Sequence, residues 1–192
     1  MRIVRAALKW MVRAVAALGC AILLALLLWP VPSIRQVRLA NPEVLTADAM
    51  LVFTNEFGDA YLSARLLMTD DNGRRMSRHL RHIALTFRLA LFTTERQRAA
   101  FVARSSYYGF GVQDFPAFTQ GCFGKLPEDL DLAEAAELAV RSRRPSHYMG
   151  GGGAERLVED RDKLLRSLSG SERVNAEALA LALSQPVGTC HR

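Results

Sequence analysis

The chain has 192 residues, a formal net charge of +6 and a sequence pI near 9.7. This length accommodates one compact domain with an appendage, and it argues against two domains of full size. Hydrophobic residues make up 50% of the chain, and their excess is concentrated at the N-terminus. The composition therefore predicts an apolar N-terminal segment followed by a single domain.

The N-terminal segment at residues 10–29 reads WMVRAVAALGCAILLALLLW, and its one charge, Arg13, lies near the edge. A helix of about 20 apolar residues crosses the hydrocarbon layer of a bilayer. Basic residues precede the apolar core, and such residues stay on the cytoplasmic side; they are Arg2, Arg5, Lys9 and Arg13. We therefore expect residues 1–32 to be a cytoplasmic tail with a single transmembrane helix, and the rest of the chain to be exported.

A cleaved signal peptide is the alternative for this segment. Its cleavage site needs small residues, but the apolar core here runs into Trp29 and Pro30, and proline near a scissile bond is unfavourable. The sequence therefore favours an uncleaved anchor.

The cysteines divide between the two parts of the chain. Cys20 lies in the apolar segment, whereas Cys122 and Cys190 lie on the expected exported side. An oxidising compartment would allow these two to form a disulfide, with two unpaired cysteines as the alternative. Their spacing matches no zinc pattern, and neither does that of the histidines, which are His79, His82, His147 and His191. We expect no cofactor on these grounds.

After the anchor, residues 33–45 are predicted to form a linker with a short strand at IRQVRL, residues 34–39. Thr46 is a suitable N-cap for one amphipathic helix that continues past Tyr61 and ends before DDNG, residues 70–73. A second helix is expected over residues 77–92. Thr94 with Gln97 resembles a capping box for a third.

Residues 107–125 read YYGFGVQDFPAFTQGCFGK, show no helical or strand period, and are predicted to be a loop. Asp131 and Glu134 then cap an alanine-rich helix that ends at Pro145. The four glycines at 150–153 indicate a flexible tether, since no lysine-serine pair accompanies them. Two more helices are expected near residues 155–168 and 175–184, so the predicted class is all-α.

Two stretches resemble the family 51 peptidoglycan glycosyltransferases, the transglycosylase module of class A penicillin-binding proteins. The family run N-R-x-Y-F-G-x-G-x-x-G-x-x-A-A-x-x-Y-F-G-K is similar to RSSYYGFGVQDFPAFTQGCFGK, residues 104–125. A second run, L-x-L-x-E-A-A-x-L-A followed by P-S-x-Y, is similar to LDLAEAAELA at 130–139 and PSHYM at 145–149.

The resemblance covers only the C-terminal half of the family's module. It implies that residues 46–192 form a truncated, lysozyme-like helical domain in the periplasm, anchored to the bacterial inner membrane. It also implies substrate contacts from the glycine-rich stretch, namely from Tyr107, Gly109, Gly111, Gln120 and Lys125.

The catalytic motifs of the family are missing from this sequence. Neither E-D-x-x-F-x-x-H nor G-G-S-T-I-T-Q-Q occurs, and Glu56 in VFTNEFGDAY is the one carboxylate in a similar setting. The diphosphate motif R-K-x-x-E aligns on RHLRH, residues 78–82, where His82 replaces the glutamate. Glu56 and His82 are therefore the candidate bases. Arg75, Arg78 and Arg81 are the candidate diphosphate ligands, and the carboxylate that would support a divalent metal is absent.

Three functions remain open on this evidence. The expected one is a degenerate homologue that binds lipid-linked peptidoglycan precursor or a glycan strand in cell-wall biogenesis. The alternatives are an active transglycosylase with a rearranged site and a non-catalytic structural partner of cell-wall synthases. The positive charge suits anionic lipid or diphosphate better than nucleic acid in an exported protein, and a merely solvated basic face is the other explanation.

Overall fold

The computed structural model describes residues 2–28, 33–68, 75–112, 114–169, 174–188 and 190. Within these ranges the secondary structure is helical and contains no strand, so the predicted all-α class is confirmed. The α-helices are α1 (Arg2–Leu28), α2 (Arg35–Arg38), α3 (Ala47–Phe57), α4 (Ala60–Leu67), α5 (Arg75–Phe92), α6 (Glu95–Ser105), α7 (Phe115–Phe123), α8 (Leu132–Arg143), α9 (Gly153–Ser167) and α10 (Ala176–Ser184). Short 3-10 helices occupy Pro42–Val44, Pro127–Asp129 and Pro145–Tyr148.

The N-terminal helix α1 is 27 residues long and packs against α5. In the part of the chain that the structure describes, no helix has both the length and the apolar character needed to cross a bilayer. The side chains of residues 2–9, Val12 and Leu23 lie outside that part. The transmembrane anchor at residues 10–29 therefore stays a prediction.

The globular core is built around α3 and α8. Helix α3 packs against α6 and α8, while the other side of α8 packs against α9. Small residues on α8 are fully buried and allow both neighbours to approach closely; they are Ala135, Ala136 and Ala139. The larger side chains that fill the space between helices include Phe53, Leu138 and Leu165.

The three helix starts predicted from capping residues are confirmed. Thr46 Oγ1 accepts a hydrogen bond from the Ala49 N–H at 3.0 Å. Thr94 with Gln97 forms the predicted capping box at the start of α6. Asp131 and Glu134 form another at the start of α8. Local side-chain chemistry fixes these boundaries, which is why the sequence alone reveals them.

Two predictions near the start of the domain are wrong. The strand expected at residues 34–39 is instead the short helix α2, whose Val37 is fully buried and whose Arg38 carbonyl accepts a hydrogen bond from Gln97 Nε2. The single helix expected from Thr46 past Tyr61 is two helices. Asp59 separates them, because its carboxylate accepts from the Tyr61 N–H at 2.8 Å and starts α4.

The glycine-rich regions are also more ordered than predicted. The stretch at 107–125 contains α7, which Asp114 caps by accepting from the Ala117 N–H and which Gly124 ends in the left-handed conformation. The four glycines at 150–153 form a tight turn rather than a tether. Gly153 is the first residue of α9 and is buried, and a side chain there would collide with the Tyr148 carbonyl.

Candidate functional site

A cleft of about 420 Å³ lies where the C-terminal end of α3 meets α8, α9 and the 3-10 turn Pro145–Tyr148. Its charged and polar lining consists of Glu56, Arg143, Arg144, Tyr148, Asp160, Lys163 and Ser167. We call this space the Glu56 cleft. Among the predicted site residues of the described chain, Glu56 is the one that lines it.

Glu56 occupies the next-to-last position of α3, and only 12% of its side chain is exposed. Arg143 at the end of α8 forms an ion pair with Glu56, with Nη1 2.9 Å from Oε2, while 59% of the Arg143 side chain remains exposed. The carboxylate is therefore neutralised by a cation that itself faces the cleft.

Tyr148 and Asp160 form the second polar contact of the cleft. The Tyr148 hydroxyl donates to Asp160 Oδ2 at 2.7 Å. Burial raises the pKa of Tyr148 well above its ordinary range, and the hydrogen bond to Asp160 adds to this rise. Tyr148 consequently stays a neutral donor at physiological pH and holds Asp160 in place.

Arg144 and Lys163 complete the lining and are both exposed. With Arg143 they give the cleft three cations, against the two carboxylates of Glu56 and Asp160. Glu56 is already paired with Arg143, and Asp160 already accepts a hydrogen bond from Tyr148, so the balance presented to a ligand is cationic. Such a site suits an anionic ligand that also carries hydroxyl groups.

His82, the other candidate base, lies elsewhere. It sits on α5 against α4, with its ring centroid 4.5 Å from that of Tyr61. Burial lowers the pKa of His82, with smaller contributions from His79 and Arg65, and a hydrogen bond with the Tyr61 backbone opposes the shift. His82 is not among the residues that line the Glu56 cleft. The structure thus does not bring the two candidate bases into one cavity.

The candidate diphosphate arginines also lie on α5. Arg78 is exposed, and Arg81 is half-buried and makes an interaction of its own. The side chain of Arg75 lies outside the described residues. Neither Arg78 nor Arg81 lines the Glu56 cleft, so a diphosphate site on α5 stays a prediction.

The Tyr107 to Gly111 segment forms a compact turn beside the cleft. Gly109, Phe110 and Gly111 all have positive φ, of 110°, 57° and 78°. The Gly111 N–H donates to the Tyr107 hydroxyl oxygen at 3.0 Å. The Phe110 N–H lies 3.3 Å from Sδ of Met149, the residue that follows Tyr148 in the chain. Gly109 and Gly111 thus shape a turn that abuts one wall of the cleft.

Other aromatic residues of this stretch belong to the core. Tyr108 and Phe115 are 1% exposed with ring centroids 5.6 Å apart, and the Tyr108 hydroxyl donates to the Ala103 carbonyl. Phe118 packs on the same tyrosine. These rings fill the space between helices, which is the usual place of aromatic side chains in protein cores.

Lys125 and Gln120 are placed away from the described cleft lining. Lys125 Nζ donates to Glu134 Oε2 at 2.8 Å and to Asp131 Oδ2 at 3.2 Å, which joins it to the capping box of α8. The hydrogen bond to Glu134 is the main cause of the raised pKa of Lys125. Gln120 is exposed on α7. Substrate contact by either residue stays a prediction.

Cys122 and Cys190 form a disulfide, with their sulfur atoms 2.07 Å apart. It ties the end of the chain to α7. Next to it, Glu137 accepts from Arg141 Nε at 2.9 Å and from the Gly188 N–H at 2.8 Å. Burial raises the pKa of Glu137, and Arg141 opposes this shift. The C-terminal segment is thus held by the disulfide to α7 and by the hydrogen bond from the Gly188 N–H to Glu137 of α8.

The described residues contain no group of three or more His, Cys, Asp or Glu side chains arranged to hold a metal ion. At the position where the resemblance would require a metal-supporting carboxylate, His82 contacts Tyr61 instead. The donor set therefore does not fit a divalent metal.

Comparison with known proteins gives no independent assignment. No protein-family model matches the chain, and no curated protein matches it at a significant level.

Sequence reasoning missed most of the cleft lining. Arg143 and Arg144 belong to RSRR, residues 141–144, a basic helix end directly before the PSHYM stretch. This position next to a resembling stretch is the one signal in the sequence that could have indicated them. Asp160 and Lys163 lie on a helix outside both resembling stretches, so nothing in the sequence connects them to Glu56.

Proposed function

We propose that the protein is a membrane-anchored, degenerate relative of the family 51 peptidoglycan glycosyltransferases that binds lipid-linked precursor or a glycan strand without polymerising it. The observation that carries this proposal is the Glu56 cleft, where one carboxylate is paired with Arg143 and two further cations, Arg144 and Lys163, are exposed. A diphosphate-linked sugar offers the matching negative charge and hydroxyl groups.

The chemistry of the cleft supports binding better than turnover. A general base must reach the sugar hydroxyl that it deprotonates. Glu56 is already held in a 2.9 Å ion pair with Arg143, so its carboxylate would have to leave this partner to reach a sugar hydroxyl. The second candidate, His82, contacts Tyr61 on a different pair of helices. Cationic side chains, in contrast, bind diphosphate without any base.

The sequence and two structural observations support the anchor and the export. Positively charged residues precede the apolar run at residues 10–29, as they do in single-pass membrane proteins with a cytoplasmic N-terminus. The described apolar side chains of α1 are mostly exposed, with Leu18 at 63% and Leu24 at 57%. The disulfide between Cys122 and Cys190 is typical of an oxidising compartment such as the periplasm. The helical fold is compatible with a truncated lysozyme-like domain.

An active transglycosylase is the second candidate function. It is favoured by one observation, that Glu56 is a largely shielded carboxylate in a cleft of suitable size for a sugar. In that case Arg143 would have to release Glu56 when substrate arrives.

Binding of purified lipid-linked disaccharide to the full chain in nanodiscs tests the proposal. Replacing Arg144 and Lys163 together by glutamine should weaken binding by roughly a hundredfold or more and reduce its salt dependence, since each charge-assisted contact contributes about 1.5–3 kcal/mol. Arg166→Gln is the matched control, because Arg166 is an exposed cation of α9 that does not line the cleft. Arg78→Gln tests the alternative diphosphate site on α5.

An affinity that depends on Arg78 and not on Arg144 and Lys163 would move the site to α5. Absence of binding in the wild type would leave a structural partner of cell-wall synthases as the remaining class.

A further inference from the structure

Helix α5 has two apolar sides, and the core covers one of them. Leu85 and Leu89 are fully buried, whereas Leu80, Ile83 and Leu91 are 39%, 53% and 56% exposed. At about 100° per residue, the three exposed residues lie on the side of the helix opposite the two buried ones. Phe87 falls between them and is half-buried. We call the row Leu80, Ile83, Phe87 and Leu91 the outer stripe of α5.

The outer stripe differs from scattered surface hydrophobic residues. It extends over roughly 17 Å of helix at 1.5 Å per residue. Single exposed apolar side chains are ordinary, whereas a contiguous row of large ones marks an interaction surface. The outer stripe is therefore a candidate contact surface.

The position of α1 indicates what that surface is. Helix α1 packs against α5, and Arg88 Nη2 of α5 donates a hydrogen bond to the carbonyl of Leu27, the next-to-last residue of α1. Exposed apolar side chains of α1, such as Leu24 and Leu28, adjoin this contact along the chain. A bilayer that holds α1 would thus meet α5 where α1 ends.

The charges of α5 fit the same partner. By the same count of about 100° per residue, the basic residues His79 and Arg88 flank the apolar row on its two sides, whereas Arg78 falls on the side of Leu85 and Leu89. An amphipathic helix with apolar residues on one side and basic residues beside them lies in the interface of a membrane, where its cations meet anionic headgroups.

We propose that the outer stripe of α5 lies in the interfacial layer of the bilayer beside the exported end of α1. This inference rests on the proposed anchor and adds a second membrane contact that fixes the orientation of the domain. A bilayer is favoured over a second copy of the chain or another protein because α5, the helix that carries the stripe, packs against a helix whose own apolar side chains are exposed.

The test uses tryptophan fluorescence of the full chain in nanodiscs of phosphatidylethanolamine and phosphatidylglycerol, with ordinary or brominated acyl chains. Trp10 and Trp29 are replaced by phenylalanine, and one tryptophan is introduced as Leu91→Trp, as Ile83→Trp or, for the matched control, as Leu181→Trp. Leu181 is a leucine of α10 that is 63% exposed. Variants are used only if their circular dichroism matches that of the wild type.

We expect the tryptophans at positions 91 and 83 to emit at shorter wavelength than the one at position 181, and to lose most of their emission in brominated lipid. Equal, weak quenching at all three positions would overturn the inference. A short-wavelength emission at positions 91 and 83 without quenching by bromine would also overturn it, because a protein surface would then cover the stripe.

A fourth variant that retains only Trp10 separates the two proposals. Quenching of Trp10 without quenching at positions 91 and 83 refutes the stripe contact and leaves the anchor intact. Absence of quenching at Trp10 refutes the anchor itself. Binding of lipid-linked disaccharide is measured separately and does not enter this test.

Discussion

Arg143 at the end of α8 and Glu56 at the end of α3 are joined by a 2.9 Å ion pair at the wall of the cleft. The two residues are 87 positions apart in sequence, and the pair connects the end of the alanine-rich helix to the one carboxylate in a setting similar to the family's catalytic motif. Because that carboxylate is paired, the cleft presents its remaining cations to a ligand.

The Glu56 carboxylate should not contribute to ligand binding. Glu56→Gln keeps the size of the side chain and removes a negative charge that repels an anionic ligand, so the affinity for lipid-linked disaccharide should be unchanged or higher. Titration calorimetry in nanodiscs measures it, with the Arg144 and Lys163 double replacement as the weakened comparison. A clear loss of affinity in Glu56→Gln would mean that the carboxylate contacts the ligand directly.

The disulfide between Cys122 and Cys190 should contribute strongly to stability, because it closes a long loop with a sequence separation of 68. Replacing both cysteines by serine should lower the free energy of unfolding by about 2–4 kcal/mol. Urea unfolding with and without reductant measures this. Cys20→Ser is the control, since Cys20 is free and exposed. The prediction fails if reductant leaves the wild-type midpoint unchanged.

The turn after Tyr107 should depend on its glycines. Gly111 has a φ of 78° and open space around it, so Gly111→Ala introduces backbone strain without a collision and should cost about 1–2 kcal/mol. Gly121 in α7 also has open space but no positive φ. Gly121→Ala should therefore stabilise the protein by about 0.5–1 kcal/mol. In urea unfolding, we expect Gly111→Ala to lower the free energy of unfolding and Gly121→Ala to raise it. Equal effects of the two substitutions would contradict the turn geometry.

His82 should titrate below 6.5, because burial against Tyr61 disfavours the imidazolium. The folded state then binds a proton less readily than the unfolded state. The contribution of His82 to stability is thus complete above the unfolded pKa and is lost as the pH falls from 6.5 through the lower folded value.

An NMR titration of His82 in the wild type and in Tyr61→Ala measures this effect. Removing the tyrosine ring should raise the His82 pKa toward 6.5. A wild-type pKa at or above 6.5 would contradict the burial argument.

The sequence predicts the features that depend on neighbouring residues. The caps at Thr46, Thr94 and Asp131 need side-chain and backbone groups only three positions apart, so their signatures are local. Hydrophobic periodicity predicted the later helices for the same reason. The sequence does not predict α7 because its glycine, its proline and its three phenylalanines obscure the helical period, although Asp114 and Pro116 form a recognisable start.

The cleft could not be predicted, because it depends on contacts between distant segments. Glu56 lines the cleft, but its partner Arg143 belongs to a helix that reaches it only through the packing of α3 on α8. His82 was selected by alignment with a motif, and the structure places it against Tyr61. Alignment assigns a position in the chain, whereas burial and packing decide what a side chain can touch.

The most direct test of the central claim is incubation of the full chain in nanodiscs with labelled lipid-linked disaccharide, followed by separation of bound precursor from polymeric glycan. A lost general base typically reduces a rate by about 10²–10⁴-fold, so the wild type should retain the precursor and yield no polymer above the protein-free control. Polymer formed by the wild type and abolished by Glu56→Gln would contradict the account and make Glu56 the catalytic base.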